Sequence, residues 1–192
     1  MVQANYHDKH LVVEILTSSF AANKSVNYIV KPGGNKLKSI RNLMDYAFEI
    51  CYLFGKVFMS DDRQACALIL YPDKKKTTFK SVWLDIKLIL FCIGLQNLKK
   101  TLRREALIKK IHPAEPITYL WFIGVHPDFQ GQGLGSTLLN ELIQASNAQK
   151  RPIYLETSTR KNLPWYQKLG FTQYHALDLG YTLFFFRNMN TY

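Results

Sequence analysis

The residues best suited to chemistry in this chain form the run Gln130-Gly131-Gln132-Gly133-Leu134-Gly135, between an apolar stretch ending at Val125 and a helix-patterned stretch beginning at Leu134. Glycines let the backbone approach a ligand with no side chain between. A helix start adds unpaired N–H groups and a partial positive charge. Together these properties suit a pyrophosphate. Three alternating glycines also exceed what one turn needs. A nucleotide-binding P-loop is excluded, because Gly, four residues and Gly-Lys-Ser/Thr occurs nowhere. A dinucleotide-binding fold fits poorly. His126 to Gln130 separates strand from glycine, Ser136 stands where the third glycine is expected, and too little chain follows for a second half-sheet.

Further along, Glu156 lies in the apolar run Ile153–Thr157, and Tyr166 follows Asn162 by four residues, so these two share one helical face. A carboxylate can accept a proton, a phenol can return one, and His126 offers a second base just after the Val125 strand.

The elements that must position these groups follow from periodicity. Asp8 to Phe20 carries Leu11, Val12, Ile15, Leu16 and Phe20 at helical spacing; Pro32-Gly33-Gly34 breaks the chain; and Ile40 to Phe54 resumes helix. Lys56 to Ser60 and Ala65 to Tyr71 read as hairpin strands around Asp61 to Gln64. Val82 to Ile111 reads as a long helical region broken near Gly94. Its apolar first half is expected on the core, and its basic second half carries Leu98, Leu102, Leu107 and Ile111 as a stripe. Ile117 to Val125 reads as a central strand in which Gly124 suits a bulge or a splay that releases a main-chain amide. The helix Leu134 to Ala148 and strand Ile153 to Thr157 complete a βαβ unit with parallel pairing. Asn162 as N-cap, Pro164 and Gly170 predict a short helix over Leu163 to Leu169, followed by closing strands Phe171 to Tyr174 and Tyr181 to Phe186.

At 192 residues, with 47% apolar and 20% charged residues, the chain is expected to form one globular domain over 1–192. The net charge of +11 favours an acidic partner, although the Lys and Arg residues read as dispersed pairs, and no aromatic-and-basic motif argues for nucleic acid. Cys51, Cys66 and Cys92 are odd in number and widely spaced, and the five histidines lack ligand spacing, so neither a disulfide framework nor a metal is expected. No signal-peptide pattern is visible, and Val82 to Leu95 is too short and too interrupted by Asp85 and Lys87 to span a bilayer. A cytoplasmic location without membrane insertion is the expectation; a homodimer stays open.

Val125-His126-Pro127-Asp128-Phe129-Gln130-Gly131-Gln132-Gly133-Leu134-Gly135 resembles the acyl-CoA-binding segment of GNAT superfamily N-acetyltransferases. That pattern is Gln or Arg, two residues, Gly, one residue, then Gly or Ala, matched by Gln130, Gly133 and Gly135. Ile153 to Ser158 and Asn162 to Phe171 resemble the same family's next strand and helix. The two segments look most like the branch containing puromycin N-acetyltransferase and other small-amine acetyltransferases.

The resemblance implies an α/β GNAT fold with a mixed, mostly antiparallel sheet splayed at the cofactor site beside Val125 and flanked by helices. It implies acetyl-CoA as the cofactor, held by the N–H groups of Gln130, Gly131, Gln132, Gly133, Leu134, Gly135 and Ser136, with the Val125 main chain facing the pantetheine arm. Asn162 either contacts the cofactor or caps its helix. Tyr166 is implied as general acid; Glu156 is the first candidate base and His126 the second, with Tyr119 and Trp121 as core or pocket wall. The implied reaction is direct acetyl transfer to a primary, small-molecule amine in a ternary complex, with no covalent intermediate on the protein. An inactive GNAT-like module that senses CoA or binds nucleic acid is the alternative.

Overall fold

The computed structural model describes residues 1–33 and 35–189; Gly34, part of the predicted break, lies outside them. A short edge strand β1 (Val2–Gln3) precedes helices α1 (Lys9–Phe20), α2 (Lys24–Ile29) and α3 (Lys36–Phe54). Asn23 and Asn35 fix the starts of α2 and α3, because their side-chain oxygens accept the N–H groups of Val26 and Lys38, which have no partner within the helix. Strands β2 (Gly55–Met59) and β3 (Ala65–Leu70) form the expected hairpin.

Helix α4 (Phe79–Leu88) begins three residues earlier than predicted, because Thr78 and Ser81 form a reciprocal capping box. A π-helical turn, Ile89–Ile93, then closes on the Gly94 N–H, which donates to the Ile89 carbonyl. Gly94 has φ of 72° and ends this run before α5 (Leu95–Ile111), so the predicted break is real. The apolar first half does not pack as expected: Leu84, Cys92 and Ile93 are buried, whereas Phe79, Val82, Trp83, Ile86, Leu90 and Phe91 face outward.

Strand β4 (Thr118–Val125), helix α6 (Leu134–Ala148), strand β5 (Ile153–Thr157), helix α7 (Leu163–Lys168) and strands β6 (Thr172–Asp178) and β7 (Thr182–Asn188) complete the chain. β6 runs past its predicted end at Tyr174 because exposed polar positions interrupt its apolar pattern at the sheet edge. The sheet order is β1-β2-β3-β4-β5-β7-β6, and among the described strands only β4 and β5 pair in parallel.

β3 is buried along its whole length, and alternate side chains serve two cores. Cys66, Leu68 and Leu70 pack with α1 and α3; Ala67 and Ile69 pack with Leu138, Leu139 and Leu142 of α6. Each large apolar side chain removed from water in these layers contributes roughly 1.5–3 kcal/mol. The sheet is therefore held from both faces.

The bulge in β4 lies at Trp121, whereas Gly124 stands in the stretch that splays away from β5. Leu68 pairs with Phe122 and Ile69 with Leu120, leaving Trp121 as the additional residue. The shift puts Phe122 on the α1 face and Ile123 on the α6 side. Gly124 answers a different need: a Cβ there would lie 3.0 Å from Leu16 and 3.1 Å from the Ser19 hydroxyl, so α1 can cross β4 only where a side chain is missing.

Candidate active site

β4 and β5 pair only through Thr118 with Ile153 and Tyr119 with Tyr154. Beyond these pairs the strands diverge, and a cavity of about 1120 Å³ opens between them, lined by both strands, α5, the glycine loop and α7. Splaying leaves strand edges without their neighbour. The His126 N–H donates to Gln64 on the β3 side, so strand alternation turns the Val125 edge toward the opening. Its carbonyl is occupied there by the Ser19 hydroxyl at 2.8 Å and the Gln130 side-chain amide at 3.1 Å.

The glycine loop owes its form to three different requirements. Gly131 and Gly133 have φ of 79° and 83°, a region costly for other residues. Gly135 instead permits close packing, since a Cβ there would sit 3.3 Å from Val125 and 3.6 Å from Trp165. At the ends of the segment the amides are already used: Gln130 N–H donates to Pro127 and Ser136 N–H to Gly133. Among the described residues, the N–H groups of Gly131, Gln132, Gly133, Leu134 and Gly135 have no hydrogen-bond acceptor. That uncommitted row at the positive end of α6 is what an anionic phosphate group requires. Gln132 does not line the cavity, although Gln130, Gly131, Gly133, Leu134, Gly135 and Ser136 do.

α7 closes the next side. Trp165 donates its indole N–H to the Ser136 hydroxyl at 2.8 Å, tying α7 to the start of α6. Asn162, expected either at the cofactor or as a cap, makes no capping hydrogen bond, because a 3-10 turn over Arg160–Asn162 runs directly into the helix. The residue lines the cavity. Tyr166 lines the same cavity at 5% exposure, with its ring against Trp165, Phe171 and Phe186. Burial holds its phenol well above the ordinary tyrosine range, so the hydroxyl keeps its proton at neutral pH.

Glu156, the first candidate base, is committed elsewhere. One carboxylate oxygen meets His112 Nε2, and the other accepts the Tyr119 hydroxyl at 2.6 Å. Burial and then this carboxylate push the Tyr119 phenol up, which keeps it a donor. His112, just beyond the end of α5, therefore presents Nε2 to Glu156 and leaves Nδ1 as the basic ring nitrogen. Sequence inspection overlooked His112, and no local pattern could have revealed it. His126 does not line the cavity; its Nδ1 accepts the Asp128 N–H at 3.4 Å within its own turn. Cys51, Cys66 and Cys92 are buried, and burial pushes each thiol up, Cys92 to about 12, so none offers a thiolate at neutral pH.

The mixed seven-stranded sheet, splayed beside a glycine loop with an open row of amides at a helix start, has the fold of known acetyltransferase structures. Residues 92–173 match the family model described as the acetyltransferase (GNAT) domain. A mycothiol acetyltransferase from Thermomonospora curvata is 39% identical over 77 residues, which is 38% of this chain but only 25% of that protein's length. Among solved structures, histone acetyltransferase HPA2 and related acetyltransferase from Corynebacterium glutamicum superposes with a TM-score of 0.71 at 18% identity, covering 100% of this chain and 96% of that one. Arylalkylamine N-acetyltransferase 2 from Aedes aegypti gives 0.63 at 16% identity, covering 99% and 98%. At these identities the two structures establish the fold alone.

Proposed function

We propose that this chain is an acetyl-CoA-dependent N-acetyltransferase that acts on a primary amine by direct attack in a ternary complex. The observation that carries the reading is the uncommitted row of N–H groups from Gly131 to Gly135 at the mouth of the cavity. The residues fit the cofactor's acidic linker: left-handed glycines shape the loop, and Gly135 keeps its base narrow. When bound, acetyl-CoA supplies the activated acyl group. The name of the curated relative, a mycothiol acetyltransferase, supports acetyl transfer.

The chain's own groups supply the proton chemistry. An alkylamine with a reference pKa of about 10.4 is mostly protonated at neutral pH and must lose a proton before attack. His112 Nδ1 is the acceptor in this reading, with Glu156 as the positioning residue that holds the ring. Tyr166, within α7, holds a donor proton at the same cavity. The Gly131 to Gly135 amides hold the anion and set its register.

Thermal melting with saturating acetyl-CoA tests the reading. A ligand at 100 times its Kd stabilises by about 2.7 kcal/mol, so the melting temperature rises. Gly133→Glu, which puts bulk and negative charge at the loop, removes that rise whatever its basal stability. Wild-type melting that ignores acetyl-CoA overturns the proposal. Binding without acetylation of any member of an amine panel, followed by mass spectrometry, reduces the chain to a CoA-sensing module.

A further inference from the structure

The α4–α5 hairpin presents a surface that acyl transfer does not use. Phe79, Val82, Trp83, Ile86 and Leu90 recur every three or four residues and form one outward stripe along α4 and the π turn. Phe79 is 99% exposed, Trp83 57% exposed, and Leu95, just past the Gly94 bend, 75% exposed. The opposite side buries Leu84, Cys92 and Ile93. A helix that only walls a cavity needs one apolar face, and this one has two. Isolated exposed apolar residues are ordinary in a monomer, but a contiguous aromatic and aliphatic face is not.

Charge is concentrated on the same segment. Residues 74–110 contain eleven Lys and Arg against Asp85 and Glu105, a net +9, in a chain whose total is +11. Asp85 is turned inward onto the Tyr46 hydroxyl at 2.7 Å. Lys74, Lys75, Lys76, Lys87 and Lys99 all lie exposed on this segment, while Lys80 is paired with the buried Glu49. Basic pairs that look dispersed between Lys74 and Lys110 therefore belong to one segment, whereas Lys150 with Arg151 and Arg160 with Lys161 lie elsewhere and Arg104 is turned into the cavity.

We propose that this hairpin docks the protein on an anionic lipid bilayer, with the apolar stripe entering the boundary between headgroups and acyl chains and the lysines facing lipid phosphates. Basic residues flanking a Trp- and Phe-bearing amphipathic helix meet both requirements of such a surface. A second copy of the chain is the poorer occupant, since a symmetric contact sets one strongly positive hairpin against another. Nucleic acid would satisfy the lysines but leave Val82, Ile86, Leu90 and Leu95 against a polar partner. The geometry also specifies lying on the bilayer instead of crossing it. Phe79–Ile93 and Leu95–Ile111 are bent by 116°, and among the described residues no single helix is long and apolar enough to span. The first arm, at 1.5 Å per residue, reaches roughly 22 Å against a hydrocarbon core of about 30 Å. α5 meanwhile gives Thr101, Arg104 and Ile108 to the cavity, so docking sets one cavity wall close to the lipid surface.

Flotation of the 192-residue chain with vesicles of phosphatidylglycerol in phosphatidylcholine, read beside tryptophan emission, tests this without any acyl-transfer readout. The expected result is binding to these vesicles and not to pure phosphatidylcholine, a blue shift of the emission, and release by salt. Phe79→Ser with Trp83→Ser lowers partition at least about tenfold and abolishes the shift, while circular dichroism and melting stay native. Lys76→Glu with Lys99→Glu gives a comparable loss and serves if the first variant fails to fold. A folded wild-type chain that stays with the unbound fraction overturns the proposal. So does unchanged partition of the apolar variant. A dimer abolished by Phe79→Ser/Trp83→Ser, with no vesicle binding, assigns the face to a second copy. Salt-sensitive binding to duplex DNA or RNA without vesicle partition assigns it to nucleic acid.

Discussion

Glu49 in the helical layer and Glu156 at the cavity are almost equally hidden, with side chains 5% and 6% exposed, yet their surroundings differ in kind. Glu49 meets two fixed cations, Lys9 at 2.7 Å and Lys80 at 2.9 Å, and accepts the Tyr6 hydroxyl at 2.5 Å. These contacts tie α1, α4 and the N-terminal segment to α3. Burial alone would raise its carboxyl, but Lys9, Tyr6 and Lys80 outweigh it and hold the pKa at about 2. Glu156 meets a histidine and a phenol, neither of them a permanent cation, and both partners line the cavity. A carboxylate held between two fixed cations is a fastener. One that shares its environment with an imidazole can support proton transfer.

The contrast is broken most directly at His112. His112→Ala is expected to lower kcat for amine acetylation about 10²- to 10³-fold while the KM for acetyl-CoA moves less than about threefold. If kcat is unaffected, the Glu156 cluster is only another fastener. Tyr166→Phe comes next, with kcat down about 10- to 100-fold and acetyl-CoA affinity retained in calorimetry; equal turnover removes the phenol from proton return. Glu49→Gln should do the reverse, lowering unfolding free energy by about 3 kcal/mol at neutral pH with kcat per folded molecule preserved. Urea titration beside active-site counting separates these outcomes.

Acidity sharpens the same comparison. Because the Glu49 pKa is depressed on folding, its contribution is complete above the unfolded value of 4.5 and is lost as pH falls toward about 2. Wild-type stability should therefore drop across that window with a slope that Glu49→Gln lacks; parallel acid profiles would contradict the assignment. The smallest effect belongs to His126→Ala. Its ring serves its own turn, so kcat should stay within about twofold of wild type, and a larger loss would return it to the list of bases.

The sequence is most readable where one local signal has one physical meaning. Helix α6 and strand β5 appear at their predicted bounds because an uninterrupted 3.6-residue or apolar pattern sits between clear breaks. Helix α7 falls within a residue of its predicted end, since Pro164 and Gly170 bracket it. The Gly94 break is legible for a related reason, the positive φ that few other residues adopt. Misreadings arise where one residue type serves two ends. Gly124 resembles a bulge residue but is kept small by α1, and the bulge itself falls on Trp121, a residue with no such signature. Apolar positions 79–91 resemble core because a hydropathy pattern records affinity for an apolar environment without saying whether another part of the fold covers them.

By itself the sequence determined the glycine loop at the start of α6, the βαβ unit and the short helix that carries Tyr166, because these depend on backbone freedom, helix ends and spacing within a few residues. Only the tertiary structure decided that β4 and β5 separate after two residue pairs, that five loop amides stay uncommitted, and that Glu156 is bound to a histidine 44 residues away. The reason is range. Strand pairing, amide satisfaction and a buried carboxylate's partner are settled by whichever distant segments the packed layers bring within hydrogen-bond reach, and no residue carries that information in its neighbours along the chain.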